Sequence, residues 1–374
     1  VVRNLIPAIV VFALSLPVFM RLSGDTRDYA AHIKLAMEMD RGGERPPHPL
    51  FHRALRALVA DRDVDREQAA TALILALALS VRAWLTAGAL AAAHPLRLTT
   101  LTLLCMALAL AMPLPNWWNF PNVYLGQASP NIWHNPTAIF AMPFVLALFL
   151  LGLRSLDDLD WKTFAATGVT MAVCLLAKPN YCLGFAPCYF VIALATLVRA
   201  ARCGRITADG AATRMLLAFV PAAAVILWQA FVVFPDYSGA PRLIYAPFVV
   251  WRGMVANINI PAAVLLGIAF PVAASLTAPR AALGDRGLVL SWSTIAVCVV
   301  QFALLAETGN RFRDGNLGWG MILSAHVLFV ASCMFLLRQP PSAGRRLALG
   351  VLGLQVASGC VFLTRTIMDP MKFF

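Results

Sequence analysis

Two carboxylates three residues apart, Asp25 and Asp28, lie in Gly24-Asp25-Thr26-Arg27-Asp28-Tyr29, directly after the first long apolar run. Opening a helix, this spacing puts both on one face, where the helix dipole favours negative charge. One reading makes Asp25 an N-cap with Asp28 supporting the first turn. The other makes one of them a general base that takes a proton from a hydroxyl at the membrane surface. The two readings are compatible. His32 lies one helical turn beyond Asp28, and His48 and His52 lie in Pro46-Pro47-His48-Pro49-Leu50-Phe51-His52. A His/Asp cluster of this type could hold a divalent metal, with Asp28 and His48 as candidate ligands. Pro49 interrupts a shared helix start for the two histidines, which favours polar contacts to a sugar or headgroup instead.

The segment from Asn116 to Thr137 is rich in aromatic rings and amides. Trp117, Trp118, Phe120, Tyr124 and Trp133 suit an interfacial aromatic belt. They equally suit a carbohydrate platform, because rings stack on the C–H face of a sugar. Asn119, Asn122, Gln127, Asn131, His134 and Asn135 would then bond its hydroxyls. Further on, Lys178 and Asn180 interrupt an apolar run in Leu176-Ala177-Lys178-Pro179-Asn180-Tyr181. A lysine at that depth either snorkels to the outer headgroups or pairs with a lipid phosphate. Arg311 and Arg313 sit between Glu307 and Asn316. Their planar forks suit phosphate oxygens, and equally suit surface bridges to Glu307 and Asp314.

The elements that must position these side chains are membrane helices. Sixty per cent of the 374 residues are hydrophobic and 13% are charged, against about 25% charged in a soluble domain. That balance excludes a soluble fold of this size, a disordered chain and a fibrous repeat. The apolar runs far exceed a barrel strand, so the fold class is all-α and polytopic. Eleven spans are expected near 4–21, 70–93, 97–114, 135–153, 163–178, 184–200, 214–235, 258–278, 287–306, 317–337 and 346–364, in a single domain over 1–374. The run Leu5 to Met20 ends at Arg21 without a small-residue cleavage site, which predicts a retained span. Most short-loop Lys and Arg fall on one side if the N-terminus is cytoplasmic, as the positive-inside rule requires; the long loop 21–69 opposes it. That loop, the first extracytoplasmic one, contains two expected interfacial amphipathic helices, Tyr29–Met39 and Leu50–Ala60. With this orientation every polar–aromatic cluster falls on the outer face, as an outward-opening active site requires.

The net charge of +12 reads as headgroup and cytoplasmic-loop basicity, not as nucleic-acid binding. The eight cysteines form no CxxC pair and read as packing residues. No P-loop, GxSxG, HExxH or dinucleotide fingerprint occurs. Arg82 is the one charge deep in a clear span and must face the bundle interior or water.

Four features in order resemble the GT-C superfamily of glycosyltransferases. They are Asp25 with Tyr29 after the first span, the patch Pro46-Pro47-His48-Pro49-Leu50-Phe51, Tyr124-Leu125-Gly126-Gln127, and Lys178-Pro179. They cover residues 1 to about 190 and are most similar to polyprenyl-phosphate-mannose-dependent mannosyltransferases related to those that elongate phosphatidylinositol mannosides. The chain departs from the pattern in the proline patch, where a histidine replaces the usual tyrosine, and after Gln127. The WHNPT and GNRFRDGN segments have no counterpart in that subfamily.

The resemblance implies an inverting transferase in the plasma (inner) membrane, its active site on the outer face. It implies that Asp25 is the base on the acceptor hydroxyl, with Asp28 a second candidate or a metal contact. Lys178, Arg311 and Arg313, or a divalent ion such as magnesium or manganese, would meet the donor phosphate. Tyr29, His32, His48, His52, Gln127, Trp133, His134, Asn135, Asn180, Glu307 and Asn316 are the candidate sugar and acceptor contacts. The donor would be a polyprenyl-phosphate-linked sugar, mannose favoured, and the acceptor a glycan, glycolipid or protein. The rivals are a polyprenyl-diphosphate-glycan polymerase or ligase and a lipid or solute transporter.

Overall fold

A computed structural model describes residues 2–25, 27–39, 46–59, 63–120, 122–233, 242–254, 259–309, 312 and 314–369, and for Asp25 and Arg27 the backbone alone. The protein is an α-helical bundle with the architecture of a multi-pass membrane protein. Eight helices are long and apolar enough to cross a membrane. They are α1 (Val2–Asp25), α4 (Val64–Ala93), α6 (Pro136–Asp158), α8 (Asn180–Arg202), α9 (Ala208–Trp228, continued by a π-type turn Gln229–Val233), α14 (Arg286–Leu304), α15 (Gly318–Arg338) and α16 (Ala343–Met368). Two shorter apolar helices are α5 (Leu98–Leu110) and α7 (Trp161–Ala177). The remaining helices are α2 (Arg27–Glu38), α3 (Leu50–Leu58), α10 (Val249–Met254), α11 (Ile260–Gly267), α12 (Ala269–Leu276) and α13 (Pro279–Gly284).

Almost every residue of α15 from Met321 to Leu337 is buried. A helix apolar on all sides belongs at the centre, and α4, α6, α8, α12 and α14 pack around it. Outer helices instead present bare aliphatic side chains such as Leu103, Val191 and Leu216, the surface a lipid solvent requires.

The helix starts are written in local chemistry. Asp63 caps α4 by accepting from the Asp65 and Arg66 amides. That cap and a polar first turn start the helix at Val64, ahead of the apolar run expected from residue 70. Asn135 caps α6, with Pro136 in its first turn. Asp285 and Ser342 do the same for α14 and α16.

Three expectations are corrected. Asp25 does not open a helix with Asp28: α1 runs on through Arg21-Leu22-Ser23-Gly24 to end at Asp25, and Asp28 stands in the first turn of α2. The span expected over 258–278 is broken at Ile268 into α11 and α12. The break is held by Gln355 of α16, whose Nε2 donates to the Leu266 and Gly267 carbonyls and whose Oε1 accepts from Phe270 N. The helix expected to continue to residue 114 stops at Leu110, because Asn131 Nδ2 takes the Leu108 and Ala111 carbonyls. The all-α expectation holds, with one short exception. A two-stranded antiparallel ribbon pairs β1 (Leu243–Tyr245) with β2 (Leu305–Glu307), Ile244 opposite Ala306.

The two helices expected in the first loop form as α2 and α3. They pack inward as well as along the surface: Tyr29, Ile33, Ala36 and Met37 of α2 and Phe51, His52 and Leu55 of α3 are buried.

Candidate functional site

A cavity of about 560 Å³ opens where α2, the segment 112–134 and the start of α15 meet. Asp28 and Asp314 contribute carboxylates to its wall, Gln127 and Asn131 amides, and Trp133 and Trp319 rings. Met112, Met254, Phe302, Met321 and Phe362 supply an apolar side. The segment 112–134 is fixed to the bundle at several points. Met112 N donates to Gln355 O, and Leu114 N to Leu266 O. The Tyr124 hydroxyl meets Ser358 Oγ at 3.1 Å, and Ser358 Oγ donates to Pro113 O. Gly126 adopts φ 72°, a conformation that favours glycine. Its carbonyl accepts from the Trp251 indole at 2.8 Å. This ties the segment to α10, whose last residue, Met254, borders the cavity.

Behind the wall lies a hydrogen-bonded hub on Asn135. Its Nδ2 donates to Asp28 Oδ2 at 3.3 Å. Its Oδ1 accepts from Lys178 Nζ at 3.2 Å, from Thr137 Oγ1 at 2.8 Å and from Ala138 N at 3.0 Å. The amide therefore caps α6 and joins a carboxylate to an ammonium. Lys178 lies in the turn between α7 and α8, 5% exposed. It donates to Thr137 Oγ1 at 2.9 Å and stands 4.7 Å from the Trp319 ring centre. It turns inward to polar partners and a ring face. Tyr29, fully buried, donates to Trp133 O at 2.7 Å and locks α2 against the cavity wall.

Electrostatics follow from burial. Desolvation raises the Asp28 carboxyl above the usual carboxylate range and Asp314 adds to it, while Asn135 and Lys178 oppose it. Burial pushes Lys178 down to about 7, against the pull of Asp28. His134 is lowered to about 3 by burial and by Lys178. A half-buried carboxylate with raised basicity is a stronger proton acceptor than a free one.

The histidines of the first loop form a separate structure. His32 Nδ1 and His52 Nε2 are 3.1 Å apart, with the Phe51 ring edge-on to His32. Burial lowers them to about 3 and about 4, so they pack as a neutral donor–acceptor pair. Among the described residues no three His, Cys, Asp or Glu side chains converge as metal ligands. Asp28 and His48 thus gain no third protein ligand there, and no step below is routed through a metal.

Asp28, Gln127, Trp133 and His134 share the cavity, with Lys178, Asn135 and Tyr29 supporting it from behind. His32, His48, His52, Asn180, Glu307 and Asn316 are not on its wall. Asn180 Nδ2 donates to Asn316 O at 2.8 Å, and Asn316 Nδ2 to Glu307, so these three join the start of α8 to the connection after β2. The Asp25 side chain and all of Arg311 and Arg313 lie outside the described residues. Asp314 and Trp319 were not among the expected site residues. The acid sat in a charged run that reads as surface bridges, and the tryptophan at the head of an expected span.

A scan against protein-family models finds no match, and a search of curated proteins finds none. The functional reading therefore stands on the site itself.

Proposed function

We propose that the protein is an integral membrane glycosyltransferase of GT-C type that uses a polyprenyl-phosphate-linked sugar. The short helices α5 and α7 and the broken pair α11–α12 complete eleven crossings in this reading, with the cavity opening on the outer face. The observation that carries it is Asp28: a half-buried carboxylate on a large cavity, held by an amide that a buried lysine also grips. In the reaction, the acceptor hydroxyl attacks the anomeric carbon of the donor and Asp28 takes its proton. The bond from that carbon to the carrier's phosphate oxygen breaks, and configuration inverts. The departing phosphate is a stable anion, so no general acid is required; positive charge nearby stabilises the transition state. Lys178 supplies such charge from behind Trp319. Arg311 and Arg313 belong to the same connection as Asp314 and remain the sequence candidates for direct phosphate contact. The apolar side of the cavity suits the first isoprene units, and the amides and rings suit a sugar and its acceptor, a lipid-linked or cell-envelope glycan or a protein. Asp28, the second candidate of the resemblance, thus takes the role that the resemblance gives first to Asp25, whose side chain lies outside the described residues.

A second reading, a lipid or solute transporter, draws on the discontinuous helix α11–α12, a feature of substrate sites in carriers. Here Gln355 occupies the backbone groups that the break releases, which favours a structural break. Purified protein incubated with a panel of polyprenyl-phosphate sugars and candidate acceptors separates the two. A transferase releases free polyprenyl phosphate, detected by mass; substrate movement across vesicles without lipid cleavage would overturn this reading.

A further inference from the structure

A second cleft, about 360 Å³, lies between the end of α8 and the start of α14. Thr196, Arg199, Cys203, Arg205 and Arg286 line it. Its place in the bundle follows from α8. That helix starts at Asn180, bonded to Asn316 on the side of the Asp28 cavity. Its 23 residues, at about 1.5 Å each, carry it roughly 34 Å to Arg202, the hydrocarbon thickness of a bilayer. Helix α14 makes the return journey from Arg286 to Leu304, with Phe302 on the first cavity. The arginine cleft therefore sits in the headgroup layer opposite the Asp28 cavity.

Its charge is only partly met by protein. Arg286 Nη1 donates to Asp157 Oδ1 at 2.7 Å, and the nearby Asp285 is taken by Arg338 at 2.8 Å. Among the described residues, neither Arg199 nor Arg205 has a carboxylate partner. Two uncompensated guanidinium groups beside a hydroxyl, bordering a space large enough for a phosphodiester, suit its oxygens. On α8 the side chains of Val191, Leu194 and Val198 are exposed on a face turned away from the cleft residues Thr196, Arg199 and Cys203. The level of the cleft, at the ends of two spans, is that of lipid headgroups.

The geometry points to a binding site for the phosphate of an anionic membrane phospholipid, formed by Thr196, Arg199, Arg205 and Arg286 in the leaflet opposite the Asp28 cavity. Basic hollows between spans at this depth select acidic lipids over zwitterionic ones. The site does not depend on the glycosyltransferase reading.

The test uses the full chain in nanodiscs of phosphatidylcholine with graded phosphatidylglycerol. Native mass spectrometry counts retained phosphatidylglycerol. In a Cys360→Ser background, maleimide labelling of the exposed Cys203 reports occupancy of the cleft. Phosphatidylglycerol should slow that labelling, and the pair Arg199→Gln/Arg205→Gln should bind it about 30-fold more weakly. Arg97→Gln, an exposed arginine on another connector, should leave binding unchanged. Unchanged affinity in the Arg199/Arg205 pair overturns the proposal. So does protection of Cys203 by inorganic phosphate as good as that by the lipid, which would mark a free-anion site. If the paired variant fails to fold, the labelling of the parent with and without phosphatidylglycerol decides the matter.

Discussion

The helical ladder of the bundle is left at two places deep in the protein, and they are finished differently. At 266–269 the broken helix surrenders two carbonyls and an amide, and the single side chain of Gln355 meets all three. Across 111–135 the backbone is pinned as firmly, but its side chains are not all matched. Gln127 Oε1, Asn131 Oδ1 and Trp133 Nε1 are buried in the cavity wall with no hydrogen-bond partner among the described residues. Each such group costs about 1–3 kcal/mol. A fold that caps one interruption fully and leaves uncompensated polarity in the other distinguishes architecture from function: the first break shapes the bundle, and the second holds polar groups beside the place where a ligand would sit.

That contrast can be broken by experiment. The largest effect is expected at the hub. Lys178→Met removes the ammonium behind Asn135 and should lower transfer roughly a hundredfold. It should also abolish the decline in rate expected of the parent as pH rises through about 7, where Lys178 would lose its proton. Next, Gln355→Leu should destabilise the protein by about 2 kcal/mol, read as Tm in detergent, because the Gly267 carbonyl and the Phe270 amide lose their partner while the Leu266 carbonyl keeps Leu114 N. The surviving folded fraction should keep its donor KM; a raised KM would erase the distinction between the two breaks.

Acid should weaken the first loop. His32 and His52 have folded values near 3 and 4 against 6.5 when free, so the unfolded chain binds more protons between those limits. Stability is full above about pH 6.5 and should fall by about 2 kcal/mol per histidine on acidification toward pH 5; hydrogen exchange of α2 and α3 reads it. The smallest effect is at Gln127. Gln127→Met trades a buried partnerless carbonyl and one hydrogen bond, to Val123 O, for an apolar chain. Stability should stay within about 1 kcal/mol while donor KM rises roughly tenfold.

The membrane class and eight long helices are legible in the sequence because twenty-residue apolar runs leave few alternatives. The cap at Asn135-Pro136 is equally local. The break at Ile268 is half legible: Pro271 has no N–H to give the Gly267 carbonyl and so weakens the helix there, but the Gln355 side chain that takes up the released groups comes from far along the chain. Asp314 and Trp319 likewise reach the cavity only because α15 packs at the centre. Lys178 stood out as a charge in an apolar run, yet its partners Thr137 and Trp319 come from two other helices. The polar residues of the outer segments divide into cavity wall and scaffold by tertiary placement, and sequence spacing is blind to that division.

Transfer by Asp28→Asn, measured beside the parent in the same nanodiscs with polyprenyl-phosphate mannose and other donors, tests the account most directly. Donor binding, followed in parallel, should be unchanged, while release of polyprenyl phosphate with a new glycosidic product falls about a thousandfold. Full turnover by Asp28→Asn would show that the carboxylate on the cavity is not the proton acceptor.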